Sequence, residues 1–223
     1  LVAGMQVSPR AIGAFLERRF ALLGVSGIAR MALAAIDIAL WDALAVAAHQ
    51  PLAVFLGGSL APVPAYNSDG LGLMPAHDAA QEALKLLEPG FRAVKLRLGH
   101  ADPKTDRAVA QAVRAAIGDS VALMVDYNQA LTVQDAIQRG RDLLDLDVYW
   151  LEEQIRHNDL RGYATIAAEL PTPVQLGENL DGPDAVYDVV STNAADYLML
   201  DIARIGGVTG WQRGVSRHHV VHR

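Results

Sequence analysis

Five apolar runs in this chain each end in a charged residue, and they recur at near-constant intervals. FRAVK ends at Lys95, VALMVD at Asp126, VYWLE at Glu152, VQLGE at Glu178 and YLMLD at Asp201. Short apolar runs that repeat every 25 to 30 residues or so, with helical patterns between them, predict βα units and a parallel sheet. In a (β/α) barrel the carboxyl ends of all strands open onto one face, which carries the chemistry. The five charges are therefore expected to converge on one site.

The rhythm predicts strands near 63–68, 91–97, 121–126, 148–152, 173–178 and 196–201. The connecting segments carry helix signals. Asp102 and Pro103 read as N-cap and first helical residue, Val109, Val113 and Ile117 share one face, and Gly118 closes that helix. Thr132 with Asp135 resembles a capping box, and Asp181, Gly182 and Pro183 start the helix after the fifth strand. Upstream, residues 1–60 read as helical. MALAAIDIALWDALAVAAHQ (31–50) is dense in Ala and Leu and stops at Pro51. Asp37 and Asp42, inside that helix, are expected to cap or pair with a neighbouring element.

Six strands are two fewer than a closed barrel needs, and the stretch from Val63 onward falls short of the ~250 residues such barrels take. An open six-stranded sheet would leave a long apolar edge unpaired. The expected fold is thus α/β: a partial (β/α) TIM-type barrel (six of eight strands, residues 61–223) preceded by helices (residues 1–60) of an incomplete α+β capping domain. The first residue is Leu1, consistent with a fragment whose start lies upstream. Bulk properties are those of an ordinary globular chain: 52% apolar, 20% charged, net charge -6. The acidity argues against nucleic acid as a partner. The absence of cysteine excludes disulfides and points to a reducing, cytoplasmic setting. No secretion signal and no membrane-length apolar run is visible.

Side chains alternate along a strand, so Lys95 and Arg97 share a face. Two cations aimed into a barrel mouth invite a carboxylate; the structural alternative is an ion network with Asp126 or Glu152. Asp126, Glu152 and Glu178, on successive strand ends, would repel one another unless neutralised. A hard divalent cation does this, and an all-oxygen site without His or Cys suits Mg²⁺. The alternative is that the three point outward or into separate salt bridges.

Several motifs together resemble the mandelate racemase group of the mandelate racemase/muconate lactonizing enzyme family (enolase superfamily): VKLR at 94–97, LMVDYNQAL at 123–131, WLEE at 150–153, QLGEN at 175–179 and LMLDIARIGGVTGW at 198–211. IARMALAAIDIALWDAL resembles that family's helical segment leading into the barrel. The resemblance implies Mg²⁺ and abstraction of the proton α to a carboxylate, giving a metal-stabilised enediolate, as in a racemase or acid-sugar dehydratase. It assigns Asp126, Glu152 and Glu178 as metal ligands, Lys95 as the neutraliser of the substrate carboxylate, and Asn128 as a neighbour of the substrate hydroxyl. Arg97 falls where mandelate racemase has a second lysine, a base. Asp201 matches the aspartate that orients a catalytic histidine. Implied partners are a small-molecule 2-hydroxy acid or sugar acid and, for the full-length protein, further copies of itself. Clustered cations would depress the pKa of a basic lysine.

The chain also departs from the pattern. Arginine stays protonated, so Arg97 is a poor base and tilts the reading towards dehydration or an unusual racemisation. The histidine partner of Asp201 belongs on a seventh strand that the chain does not reach. After Trp211 the likeness stops, and RGVSRHHVVHR, with His218, His219 and His222, reads as a frameshift or incomplete gene near residue 213. The competing expectation is therefore a non-catalytic remnant that at most binds metal. Arg204 stands where a lysine is usual and is expected to pair with a carboxylate. Gln154 replaces a usual proline and is expected to loosen its turn. Ser68 is expected to touch substrate or bond to backbone. His49, His77, His100 and His157 are expected to be solvated. Gly206-Gly207 is read as a site of tight packing.

Overall fold

The computed structural model describes residues 1–216. In chain order the elements are helices α1 (Pro9–Phe20), α2 (Gly27–Ala47), α3 (Leu52–Phe55) and α4 (Ala76–Leu87), then strand β1 (Ala93–Arg97), α5 (Pro103–Ile117), β2 (Ala122–Asp126), α6 (Val133–Asp142), β3 (Val148–Glu152), α7 (Leu160–Glu169), β4 (Val174–Leu176), α8 (Asp184–Ser191), β5 (Tyr197–Leu198) and α9 (Gly207–Ser216). The chain divides into two compact units. One comprises residues 1–62, 177–190 and the stretch from Met199 onward; the other comprises residues 63–176 and 191–198.

The second unit holds the sheet, five parallel strands in the order β1-β2-β3-β4-β5. Its helix-facing residues are apolar and almost fully buried: Val94 and Leu96 on β1, Leu123 and Val125 on β2, Leu151 on β3, Val174 and Leu176 on β4. Val109, Ala110 and Val113 of α5, Ala136 of α6 and Ile166 of α7 are buried as well. Each fully buried Leu, Ile or Val contributes about 1.5–3 kcal/mol, so this layer is the main stabiliser of the sheet. The helix signals hold. Asp102 caps α5 by accepting from Lys104 N at 2.9 Å, and Gly118 closes it in the left-handed region. Thr132 accepts from Asp135 N at 3.2 Å and donates to the Asp135 carboxylate at 2.7 Å.

The strand expected at 63–68 does not form. Only Asn67 joins β1, through one parallel bridge to Val94, with Asn67 N on Ala93 O and Lys95 N on Asn67 O. Pro64 lacks an N–H, and the Asn67 side chain accepts from Asp69 N, which turns the chain out of the ladder. The described sheet therefore has five strands rather than six. The last two strands are also shorter than expected, ending at Leu176 and Leu198.

In the first unit, the α2 helix starts before its expected boundary at 31 and stops short of the one at 50, running from Gly27 to Ala47. Asp37 is buried within it and acts on the start of α9: its carboxylate accepts from Thr209 N at 2.9 Å and from the Thr209 hydroxyl, and Trp41 Nε1 donates to the same hydroxyl. An anionic side chain at a helix N-terminus stabilises it by roughly 0.3–1 kcal/mol, more when partly buried. Asp42, by contrast, is exposed. The approach explains Gly207, at φ +78, where an added Cβ would lie 2.5 Å from Asp37 Oδ2. Gly177 is a second obligatory glycine. Its φ is +142, and a Cβ there would meet the Met199 backbone at 2.6–2.9 Å, atoms that no side-chain rotation can move. Gly177→Ala is expected to destabilise the chain by about 2–4 kcal/mol, combining backbone strain and overpacking. Urea unfolding checks this; a loss under about 1 kcal/mol would refute it.

Candidate functional site

Parallel pairing in register sets a rung of side chains across one face of the sheet. Arg97 lies opposite Asp126, Asp126 opposite Glu152, Glu152 opposite Gln175, and Gln175 opposite Tyr197. Because the strand period is two, these residues point away from the helices, opposite to Leu96, Val125, Leu151 and Leu176. Asp126 and Glu152 are 1% and 0% exposed, unusual for carboxylates. Between them sits the Lys95 ammonium, 3.1 Å from Asp126 Oδ2 and 3.1 Å from Glu152 Oε1. Lys95 thus takes part in the ion network weighed as the alternative role for the two cations. Arg97 does not: it is exposed and makes no ion pair among the described residues.

Burial works against a charged Lys95, yet the adjacent Glu152 and Asp126 outweigh it, and its pKa is raised above 10.5. The expected depression towards neutrality is corrected by this: the neighbours that decide the shift are carboxylates, not cations. A raised lysine stabilises the fold below its ordinary pKa, and the contribution is lost only as the pH climbs through the raised value. At neutral pH the triad is therefore fully charged on the lysine side.

One wall of the site is aromatic. Lys95 Nζ lies 5.9 Å from the Tyr66 ring centroid, Tyr66 packs edge-on to Trp150 at 5.7 Å, and Trp150 adjoins Tyr197 at 5.7 Å. Asn128 is exposed at φ +42 and donates through both its backbone N and its Nδ2 to Asp126 Oδ1, at 2.8 and 2.9 Å. It therefore orients the carboxylate expected to hold metal. Gln175, on the rung, is 3% exposed, and its side-chain amide oxygen has no hydrogen-bond partner among the described residues.

The other expected residues belong to the first unit. Glu178 follows β4 by two residues, is half-buried, and accepts from Asn179 Nδ2 at 3.2 Å. Asp201 is exposed, and its Oδ1 accepts from the N–H groups of Ala203 and Arg204 at 2.9 and 2.8 Å. Arg204 was expected to meet a carboxylate; its guanidinium instead donates to the Glu178 backbone carbonyl at 3.0 Å and to the Asn179 side chain. Among the described residues no group of three His, Cys, Asp or Glu side chains is gathered closely enough to hold a metal ion. What is gathered is the pair Asp126 and Glu152. Their all-oxygen donor set, on adjacent strand ends and already demanding one cation, fits Mg²⁺ rather than a softer metal.

Several smaller expectations change. His49 and His77 are exposed, but His100 and His157 are half-buried and hydrogen-bonded rather than solvated. The Gln154 turn is not loose: Gln154 is fully buried, its Nε2 donates to Leu151 O, and its carbonyl accepts from Leu131 N. Ser68 is exposed. His218, His219 and His222 lie outside the described residues. Residues that sequence reasoning passed over are Gln129 and Glu153, which interlock with His157 behind the strand ends. The signal was present in DYNQ and LEE, polar residues immediately beyond strand-end carboxylates.

Residues 78–219 match the family described as enolase C-terminal domain-like, and residues 7–57 match the N-terminal domain of the mandelate racemase/muconate lactonizing enzymes. The chain belongs to the mandelate racemase/muconate lactonizing enzyme family. Among its relatives in this family is the L-talarate/galactarate dehydratase of Salmonella typhimurium, 36% identical over 190 residues, covering 85% of this chain and 48% of that protein. Another is the 3,6-anhydro-alpha-L-galactonate cycloisomerase of Streptomyces coelicolor, 38% identical over 194 residues, covering 85% of this chain and 53% of that protein. A crystal structure of an enolase from Bradyrhizobium, complexed with magnesium and mandelic acid, superposes with a TM-score of 0.91 at 36% identity, over 96% of this chain and 59% of that one. The chain thus spans about half the length of the curated family members it matches.

Proposed function

We propose that this chain carries the metal-binding half of an acid-processing site, in which Asp126, Glu152 and Glu178 hold Mg²⁺ and a 2-hydroxy acid or sugar acid loses the proton α to its carboxylate. The observation that carries the reading is the Asp126–Lys95–Glu152 triad: two buried carboxylates on adjacent strand ends with one ammonium 3.1 Å from each. A dehydratase of talarate and galactarate and a cycloisomerase of 3,6-anhydro-alpha-L-galactonate among its relatives, and a neighbour that holds magnesium with mandelic acid, support it. In the same reading residues 61–223 are part of a (β/α) barrel and residues 1–60 are helices of its capping domain.

When bound, Mg²⁺ would supply positive charge where negative charge develops on the substrate. Lys95 is read as the group that faces the substrate carboxylate, and its raised pKa keeps it cationic for that role. Arg97, exposed at the strand end, adds positive potential without exchanging a proton. Asn128 holds Asp126 with its backbone N–H and side-chain amide, and its exposed position leaves it near an entering hydroxyl. Asp201 is assigned the orientation of a histidine base.

A second reading, metal binding without turnover, is favoured by the rung itself. On this face of the sheet Lys95 is held protonated and Arg97 does not deprotonate, so neither is suited to take a proton from a weak carbon acid at neutral pH. Titration calorimetry with Mg²⁺, followed by Mg²⁺-dependent α-deuteration of hydroxy acids in D₂O, separates the two. Glu152→Gln is expected to weaken Mg²⁺ by more than ~100-fold, beyond what removal of a supporting residue does. Binding equal to wild type would overturn the metal assignment, whereas binding without exchange would select the second reading.

A further inference from the structure

Immediately beyond the carboxylate rung, the loops leaving β2 and β3 are joined by more than sheet pairing. The backbone ladder continues past both strands, with Tyr127 N on Glu152 O at 3.0 Å, Gln129 N on Glu153 O at 2.6 Å and Leu131 N on Gln154 O at 3.0 Å. Across it lies the Gln129 side chain, half-buried and engaged at both ends. Its Nε2 donates to Glu153 Oε2 at 2.9 Å, while its Oε1 accepts from His157 N at 3.0 Å and lies 3.2 Å from His157 Nδ1. Glu153 is 1% exposed. Asn128, Gln129 and Glu153 all have positive φ, at 42, 64 and 37 degrees. Left-handed non-glycine residues cost roughly 1–3 kcal/mol each and persist only where surrounding bonds over-determine them. Three of them here adjoin the two strand-end carboxylates, Asp126 and Glu152.

We propose that Gln129 is a positioning residue for the metal site: it clasps the β2 and β3 loops and so sets the spacing of Asp126 and Glu152. β2 and β3 pair in register from Met124–Trp150 to Asp126–Glu152, where the strand pairing ends. The clasp sits at that end, where the ligands are, and holds the two loops beyond the last pair. A glutamine suits the task, since one amide offers a donor to a carboxylate and an acceptor to a backbone N–H, which neither an ionised Glu nor a Lys can do. The inference rests on the metal assignment made above.

The test uses the chain itself, with Mg²⁺ as probe and no turnover required. Gln129→Met keeps length and removes the side-chain hydrogen bonds to Glu153 and His157. It is expected to weaken Mg²⁺ roughly 10- to 100-fold by calorimetry, the range for residues that orient metal ligands. Thr132→Val, which removes the α6 cap just downstream, is the control: it should lower the thermal midpoint without moving Mg²⁺ affinity. Should Gln129→Met fail to fold, the shorter Gln129→Asn must show the loss. Wild-type affinity in a folded Gln129 variant would overturn the clasp and leave the metal site standing. So would an equal loss in Thr132→Val, because the effect would then follow stability alone. A wild-type chain that takes up no Mg²⁺ would instead overturn the metal assignment, and the clasp's role with it.

Discussion

Lys95→Met is expected to lower the unfolding free energy of the metal-free chain by about 3–5 kcal/mol at neutral pH, the usual consequence of removing one partner from a buried ion network. Lys95 is 14% exposed in its side chain, and it is the cation between two carboxylates that are almost wholly buried. Without it two negative charges would face each other out of water, with Asn128 supporting only Asp126. Methionine restores the volume but not the charge, so packing loss is minimised and the electrostatic deficit is isolated. Added Mg²⁺ should recover part of it, about 2.7 kcal/mol at a hundred times its Kd, because the metal would do the neutralising that the ammonium did. Urea unfolding with and without Mg²⁺ measures both. A variant as stable as wild type would mean that the carboxylates are not held together by Lys95.

The second large effect lies behind the loop that follows β1. Asp106 is 2% exposed and accepts from Gly99 N at 3.0 Å, from His100 N at 2.9 Å, from His100 Nδ1 at 2.7 Å, and from the Arg139 guanidinium. Arg139 is itself buried and otherwise donates to His100 O. Asp106→Ala therefore strands a buried cation and two backbone N–H groups at once, and is expected to cost about 3–5 kcal/mol. Asp106→Asn keeps acceptor capacity and should cost less. The informative variant is Asp106→Ala with Arg139→Met, which removes the stranded charge. It should be more stable than the sum of the single losses by about 1–3 kcal/mol. Additivity in that cycle would show that the pair is not energetically coupled. The network also bears on the site, since Gly99 and His100 continue directly from Arg97 and Leu98.

The strand ends were legible because parallel pairing forces a simple code: an apolar run on the helix side and a polar terminus on the other. Lys95, Asp126 and Glu152 obey it. Asn67 did not betray itself, because VPAYNS has the composition of a strand, while Pro64 and the Asn67 side-chain turn act through individual hydrogen bonds. Lys95's partners were equally hidden. Charge alone could not say whether it would meet a substrate or Asp126 and Glu152, because that depends on a reach of a few ångströms across three strands. Asp37 was readable as a cap only in outline; its target, Thr209, lies 172 residues away in sequence. Arg204 went astray for the same reason, as a long side chain can take a backbone carbonyl as readily as a carboxylate.

The rung has a consequence for how such a chain can change over generations. Arg97, Asp126, Glu152, Gln175 and Tyr197 are level with one another only because the residues just before them pair in register, on β2 and β3 from Met124–Trp150 onward. Adding one residue between Met124 and Val125 of β2, or between Trp150 and Leu151 of β3, would turn Asp126 or Glu152 towards the helices and bring Val125 or Leu151 to the rung. Length variation should therefore be tolerated beyond the clasped loop and in the helices, but not within the strands. Heritable change in what the site accepts is channelled into the connections, and the carboxylate pair travels through it unaltered.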